Sequence, residues 1–138
     1  MKTVLELCDY CEELGNIPKT TKRKGAEKSF QLVADSLIEG EDIKIAFNGF
    51  LNMKSMTKND GLYSCGMTDG RLIMGMKIAF NSDIKSVKLD KISSVSFESN
   101  KPFTNFGTIT FSTVSEEFKI TMDLKSAMAI NGKVQAMV

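Results

Sequence analysis

From Leu72 the large apolar residues fall on alternate positions, Leu72, Met74, Met76, Ile78 and Phe80, a period of two that places all of them on one face of a strand. The preceding stretch from Gly61 to Met67 leads into Thr68-Asp69-Gly70-Arg71, and Asp69-Gly70 is a dipeptide that tolerates positive φ in a tight turn. Together they predict a central hairpin with the stripe turned inward. The same period recurs at Ile43, Ile45 and Phe47, at Val87 and Leu89, at Val95 and Phe97, at Ile109, Phe111 and Thr113, and at Phe118, Ile120 and Met122, giving seven strands. Turn-rich clusters at 52–60, 81–83, 89–91, 100–107 and 115–117 separate them, a spacing suited to an antiparallel sheet.

Helical periodicity flanks this region. Val4, Leu7, Cys8, Cys11 and Leu14 form one stripe within 3–14, closed by Gly15-Asn16-Ile17-Pro18. Phe30, Val33, Ala34, Leu37 and Ile38 form a second within 26–39, closed by Gly40. A last helix over 124–138 carries Leu124, Ala127, Ile130, Val134 and Met137 on a broad face, with Asp123 placed to cap it and Gly132 as a weak point. Both N-terminal helices need a surface to cover, and the sheet supplies it. Residues 1–25 read as a helix and basic connector, and 26–138 as the main domain.

Composition narrows the function classes. A chain of 138 residues suits one core without metals or disulfides to hold it. Its net charge of +1 gives no global pull toward nucleic acid or acidic lipid, so a charge argument must be local. No apolar run approaches the ~20 residues of a membrane-spanning helix, and acidic residues interrupt the N-terminus where a signal peptide would be apolar, which suggests a cytosolic protein. The three cysteines, Cys8, Cys11 and Cys65, cannot all pair within one chain and read as reduced thiols. Histidine is absent, which removes the commonest general base and metal ligand.

Seven antiparallel strands followed by one helix is the order of a pleckstrin-homology-like (PH-like) barrel, an α+β fold in which the helix plugs one open end. The sequence also resembles bacterial PH-like domains of the YokE-like kind. The resemblance rests on Glu39-Gly40-Glu41-Asp42-Ile43 leading into the first strand; on Gly61, Thr68, Arg71, Leu72 and Ile73 in the hairpin; on Val87-Lys88-Leu89-Asp90-Lys91-Ile92-Ser93-Ser94-Val95; and on Gly107-Thr108-Ile109-Thr110-Phe111. It implies a non-enzymatic binding module and suggests self-association. Eukaryotic members carry a tryptophan in the last helix and a basic cluster in the first hairpin for inositol phosphates. This chain has no tryptophan, and its 52–60 loop offers only Lys54 and Lys58, which argues against phosphoinositide as the ligand.

Each chemical candidate has a structural reading beside it. Cys8-Asp9-Tyr10-Cys11 has the spacing of half a zinc site or a redox pair, but both sulfurs lie on the apolar stripe, so small buried hydrophobes are the better reading. The basic run from Lys19 to Lys28 has no interleaved aromatic residue to stack a base; it reads as a solvated connector rather than a nucleic-acid site. Met74 and Met76 read as core, whereas Met53 and Met56 fall in a loop beside Phe50 and Leu51 and near Lys54 and Lys58, a candidate contact site. Phe103 and Phe106, in the 100–107 turn, are placed either to fold over the barrel end or to meet a partner. No spacing of catalytic residues, glycine-rich phosphate loop or carboxylate cluster supports catalysis, a cofactor or a metal.

The sequence therefore points to a bacterial or bacteriophage module that binds protein and self-associates. Head-group binding at a membrane, enclosure of a small apolar ligand, and inhibition of a host protein by a phage-encoded chain stand as alternatives. The candidate groove lies along the strand at 92–99, whose outward positions Ser94, Ser96 and Glu98 give it weak protection, and on the last helix at Met128, Ile130 and Met137. It is expected to serve as a homo-oligomer interface or a partner site.

Overall fold

The computed structural model describes residues 2–17, 23–55, 57–99 and 105–138. Pro18, Lys19, Lys22, Met56, Phe103 and the rest of 100–104 lie outside the described residues, and so do the sequence readings that rest on them. The elements in chain order are helices α1 (Val4–Glu13) and α2 (Arg23–Asp35); strands β1 (Ile45–Leu51), β2 (Leu62–Met67), β3 (Arg71–Ile78) and β4 (Asn81–Lys88); a short 3₁₀ turn (Leu89–Lys91); strands β5 (Ser94–Ser99), β6 (Phe106–Ser112) and β7 (Glu117–Asp123); and helix α3 (Leu124–Gln135). The strands make one antiparallel sheet in the order β4-β3-β2-β1-β7-β6-β5. This is the PH-like arrangement of seven strands with a C-terminal helix and two helices before the sheet.

The inward face follows the period-two stripes. Ile45, Phe47, Tyr63, Cys65, Met67, Leu72, Met74, Ile109, Phe111, Phe118 and Ile120 join Ala127, Ile130 and Val134 of α3 in one buried cluster. Because residues from both halves of the sheet share it, the sheet curls around its contents, and α3 closes one end. Asp123 caps α3 by accepting from the Ser126 amide at 3.2 Å, and the helix runs unbroken through Gly132 to Gln135.

The opposite face of β1–β3 is buried too. Leu7, Cys8 and Cys11 of α1 and Ala26, Phe30 and Val33 of α2 pack with Ile43, Ala46 and Ile73 in a second cluster. Gly75 permits this: a Cβ there would lie 2.9 Å from the Ser29 carbonyl oxygen, so only glycine lets α2 lie this close to β3. Asn16, just after α1, behaves like a piece of strand. Its side chain accepts from the Asn48 amide at 2.5 Å and donates to the Asn48 carbonyl at 3.1 Å, where β1 has parted from β7.

Two of the stretches that carried the family resemblance, 39–43 and 68–73, meet in space. Arg71 forms a two-pronged pair with Glu41, both bonds at 2.8 Å, and also donates to the Ser36 carbonyl. Thr68 donates to the same carboxylate at 3.2 Å, while its hydroxyl oxygen accepts from the Gly70 and Arg71 amides. Gly40, at φ +87°, turns the chain so that Glu41 arrives there. The motif is thus a clamp that fixes the β2–β3 hairpin to the segment between α2 and β1. Its turn is held by the Thr68 hydroxyl rather than by positive φ at Asp69 or Gly70.

Several expectations require correction. Ile78 and Phe80 do not point into the core; both are exposed, Phe80 completely. The reason is a difference in ladder length: β3 pairs with β2 only as far as Gly75, whereas its ladder with β4 runs on to Ile78–Asn81. The end of the β3–β4 hairpin therefore overhangs the barrel as a two-stranded ribbon. Residues 81–83 belong to β4, not to a turn; the turn is Ala79-Phe80, with Ala79 at φ +49°. Leu89 starts the 3₁₀ turn instead of ending a strand, α2 stops at Asp35, and Ile38 is exposed beyond it.

Candidate functional site

The first candidate is the edge formed by β5 beside α3. Among the described strands β5 pairs only with β6, from Ser94–Ser112 to Ser99–Gly107. Alternation then places Ser94, Ser96 and Glu98 outward and exposed, while Val95 and Phe97 are half-buried against the inner cluster. From α3, Gln135 donates to the Val95 carbonyl at 2.9 Å, which shows which side of the helix faces the strand. Asn131 and Met128 share the stripe of Gln135, at one and two helical turns from it, and Met128 is exposed. Ile130 does not contribute to this surface: it is fully buried in the barrel, and Met137 also packs against the core. A helix rotates by about 100° per residue, so Met128 and Ile130 cannot share a face. Gln135 was not anticipated from sequence; its signal was the seven-residue separation from Met128.

The second candidate lies between the β1–β2 loop and the start of β7. Asn52, Met53, Lys54, Lys58, Asn59, Asp60, Glu117 and Lys119 line an open cleft of about 630 Å³. Asn52, in the left-handed region at φ +51°, bridges it: its amide donates to the Lys119 carbonyl at 2.7 Å and its side chain to Asp60 at 2.8 Å. Lys54 and Lys58 are exposed and Met53 is half-buried. Phe50 is not part of the cleft; it sits in β1 between Leu62 and Thr121. Three lysines are offset here by two carboxylates, so the cleft has mixed charge with one lysine in excess rather than a basic cluster.

The cysteines are all buried. Burial pushes the Cys8 thiol up to about 11 and those of Cys11 and Cys65 further, opposite to the shift that a reactive thiolate needs. Among the described residues, no group of three or more histidine, cysteine, aspartate or glutamate side chains is placed to hold a metal, and no helix is long and apolar enough to cross a membrane.

A seven-stranded antiparallel sheet rolled around a core and closed by a C-terminal helix defines the class as PH-like. The sequence profile described as "Bacterial PH domain" matches residues 37–136, well over half of the chain, and the chain belongs to that family. Among solved structures, it is similar to the C-terminal domain of an unknown protein from Leishmania infantum, with a TM-score of 0.52 and 23% identity over 80% of this chain and 92% of that one; the likeness is one of fold. No curated protein matches the chain. The family match begins after α2, so the two N-terminal helices that cover β1–β3 lie outside it.

Proposed function

We propose that this chain is a non-enzymatic binding module that acts through protein–protein contacts, and that its partner site is the edge of β5 with the Met128–Asn131–Gln135 stripe of α3. The observation that carries the reading is the combination of a strand that, among the described strands, pairs on one side only, with an exposed methionine on the helix beside it. An extended partner segment can add to such an edge through main-chain hydrogen bonds, its alternate side chains reaching the helix. Gln135 holds one β5 carbonyl and would exchange it for the incoming backbone. The rival readings find less support. Side chains fill the barrel interior, which disfavours an enclosed apolar ligand, and the mixed charges of the loop cleft, three lysines against two carboxylates, disfavour an anionic head group. A bacterial setting is supported by the family match and a cytoplasmic one by the N-terminal pattern and the reading of the cysteines as reduced; a phage origin has no residue to support it.

The test uses a photo-crosslinking residue at Ser96 in the full chain, expressed in the native host, followed by purification of the captured protein and direct measurement of its binding. The S94K/S96K variant should keep the wild-type circular dichroism spectrum and melting temperature yet lose that binding. Unchanged affinity in the double variant contradicts the site. Binding to vesicles carrying phosphoinositide, abolished by K54E/K58E, would replace the reading with the head-group one.

A further inference from the structure

The strand at the other end of the sheet, β4, which among the described strands pairs only with β3, has a property that β5 lacks: its sequence is complementary to itself. Leu89 donates to the Gly70 carbonyl at 3.0 Å, and the β3–β4 register continues in step from there. Leu72–Val87, Met74–Lys85, Met76–Asp83 and Ile78–Asn81 are therefore the pairs that bond across the ladder, and the amides and carbonyls of Ser82, Ile84 and Ser86 point away from β3. On an antiparallel edge the residues that can face a second strand directly are fixed by this alternation. We propose that β4 pairs with β4 of a second copy of this chain, antiparallel, about a two-fold axis through Ile84.

Only that axis suits the charges. Centred on Ile84, it sets Asp83 opposite the second copy's Lys85, and Lys85 opposite its Asp83, at non-hydrogen-bonded positions where side chains approach most closely. Moved one residue either way, the axis puts Asp83 against Asp83 or Lys85 against Lys85, like charges directly opposite. The remaining positions agree. Ile84 meets Ile84, Ser82 meets Ser86, and Phe80 lies against the stem of Lys88. Ile84 and Phe80 are both exposed in the single chain. Tyr63 donates to Asp83 at 2.6 Å, and Lys85 lies 3.3 Å from the same carboxylate, so the charges are already arrayed along the edge. The overhang of the hairpin leaves room for the second strand, since β3 is the element against which β4 chiefly packs. Ala79, at φ +49°, is the first residue of the two-residue turn that closes this hairpin, and the turn leaves Phe80 out at the tip. This interface is independent of the β5 reading and uses the opposite side of the sheet.

The experiment is sedimentation equilibrium on the full chain over a wide concentration range, with D83K, K85D, the D83K/K85D exchange and an equimolar mixture of the two single variants. The wild type should dimerise. Each single variant should associate more weakly, on the order of tenfold, because both charge contacts become repulsive. The double exchange should restore dimers. The mixture should form heterodimers, since one chain then carries lysine at both positions and the other carries aspartate at both, which makes each cross-strand pair opposite in charge. Loss of fold in a single variant is distinguished by this rescue, which a misfolded chain cannot give. A monomeric wild type, a dimer indifferent to the single changes, or single variants that neither mixing nor exchange rescues would overturn the proposal.

Discussion

The two strands at the ends of the sheet, β4 and β5, meet their surroundings in opposite ways. At β5 the neighbouring helix supplies a side chain to the strand, Gln135 to the Val95 carbonyl, and alternate strand residues are anchored in the core. At β4 the strand leans on β3 and runs past the barrel, with Ile84 and Phe80 in solvent. An edge strand is a template for pairing with another chain unless something covers it. Here one edge is partly covered by Gln135 of the neighbouring helix, whereas the other carries Asp83 and Lys85 along an edge with no such cover among the described residues; the first is proposed for a different molecule and the second for a second copy. If both proposals hold, the covered edge selects by what can displace or join the helix, and the uncovered one by register.

The comparison can be broken from either side. The largest effect should come from Phe111→Ala. Phe111 is fully buried opposite Val95 and ties β5 to the core, so truncation should cost about 3–5 kcal/mol in denaturant unfolding. It should also expose β5 amides to exchange before those of β4. A smaller loss, about 2 kcal/mol at neutral pH, should follow Glu41→Gln, which weakens the clamp on the β2–β3 hairpin. The sign of its pH dependence is fixed by the Arg71 guanidinium, which lowers the Glu41 carboxyl from 4.5 to about 2. A carboxyl with a depressed folded value contributes stability above 4.5 and loses it as pH falls toward 2. Unfolding midpoints measured across that window should therefore fall more steeply for the wild type than for E41Q. The smallest effect should come from Gln135→Ala, costing about 1 kcal/mol or less while raising exchange in β5 and leaving β4 unchanged.

Most of the fold was legible in the sequence because each strand carries an alternating stripe and each helix a 3.6-residue one. The errors fall where burial depends on a neighbour's length or on long-range contact. Ile78 and Phe80 continue a regular stripe, and nothing in the stripe tells that β2 stops pairing at Ser64–Gly75. Asn81-Ser82-Asp83 looks like a turn because it is polar, while the real turn, Ala79-Phe80, has no turn residues and holds alanine in a left-handed conformation. Asp83 and Lys85 were consequently not recognised as an ordered pair on an edge. The outward residues of β5 were readable from alternation, but the broad apolar face of α3 did not separate Met128 from Ile130. Glu41, Thr68 and Arg71 were visible as a motif. Their meeting as a clamp required the fold to bring positions 41 and 71 together.

Amide hydrogen exchange of the full chain, followed residue by residue at low and high protein concentration, tests the account most directly. Raising the concentration should slow exchange at Ser82, Ile84 and Ser86, whose amides point away from β3, and leave β5 amides at their dilute rates. Equal rates at both concentrations for β4, or protection appearing along β5 instead, would contradict the assignment of self-pairing to one edge and partner binding to the other.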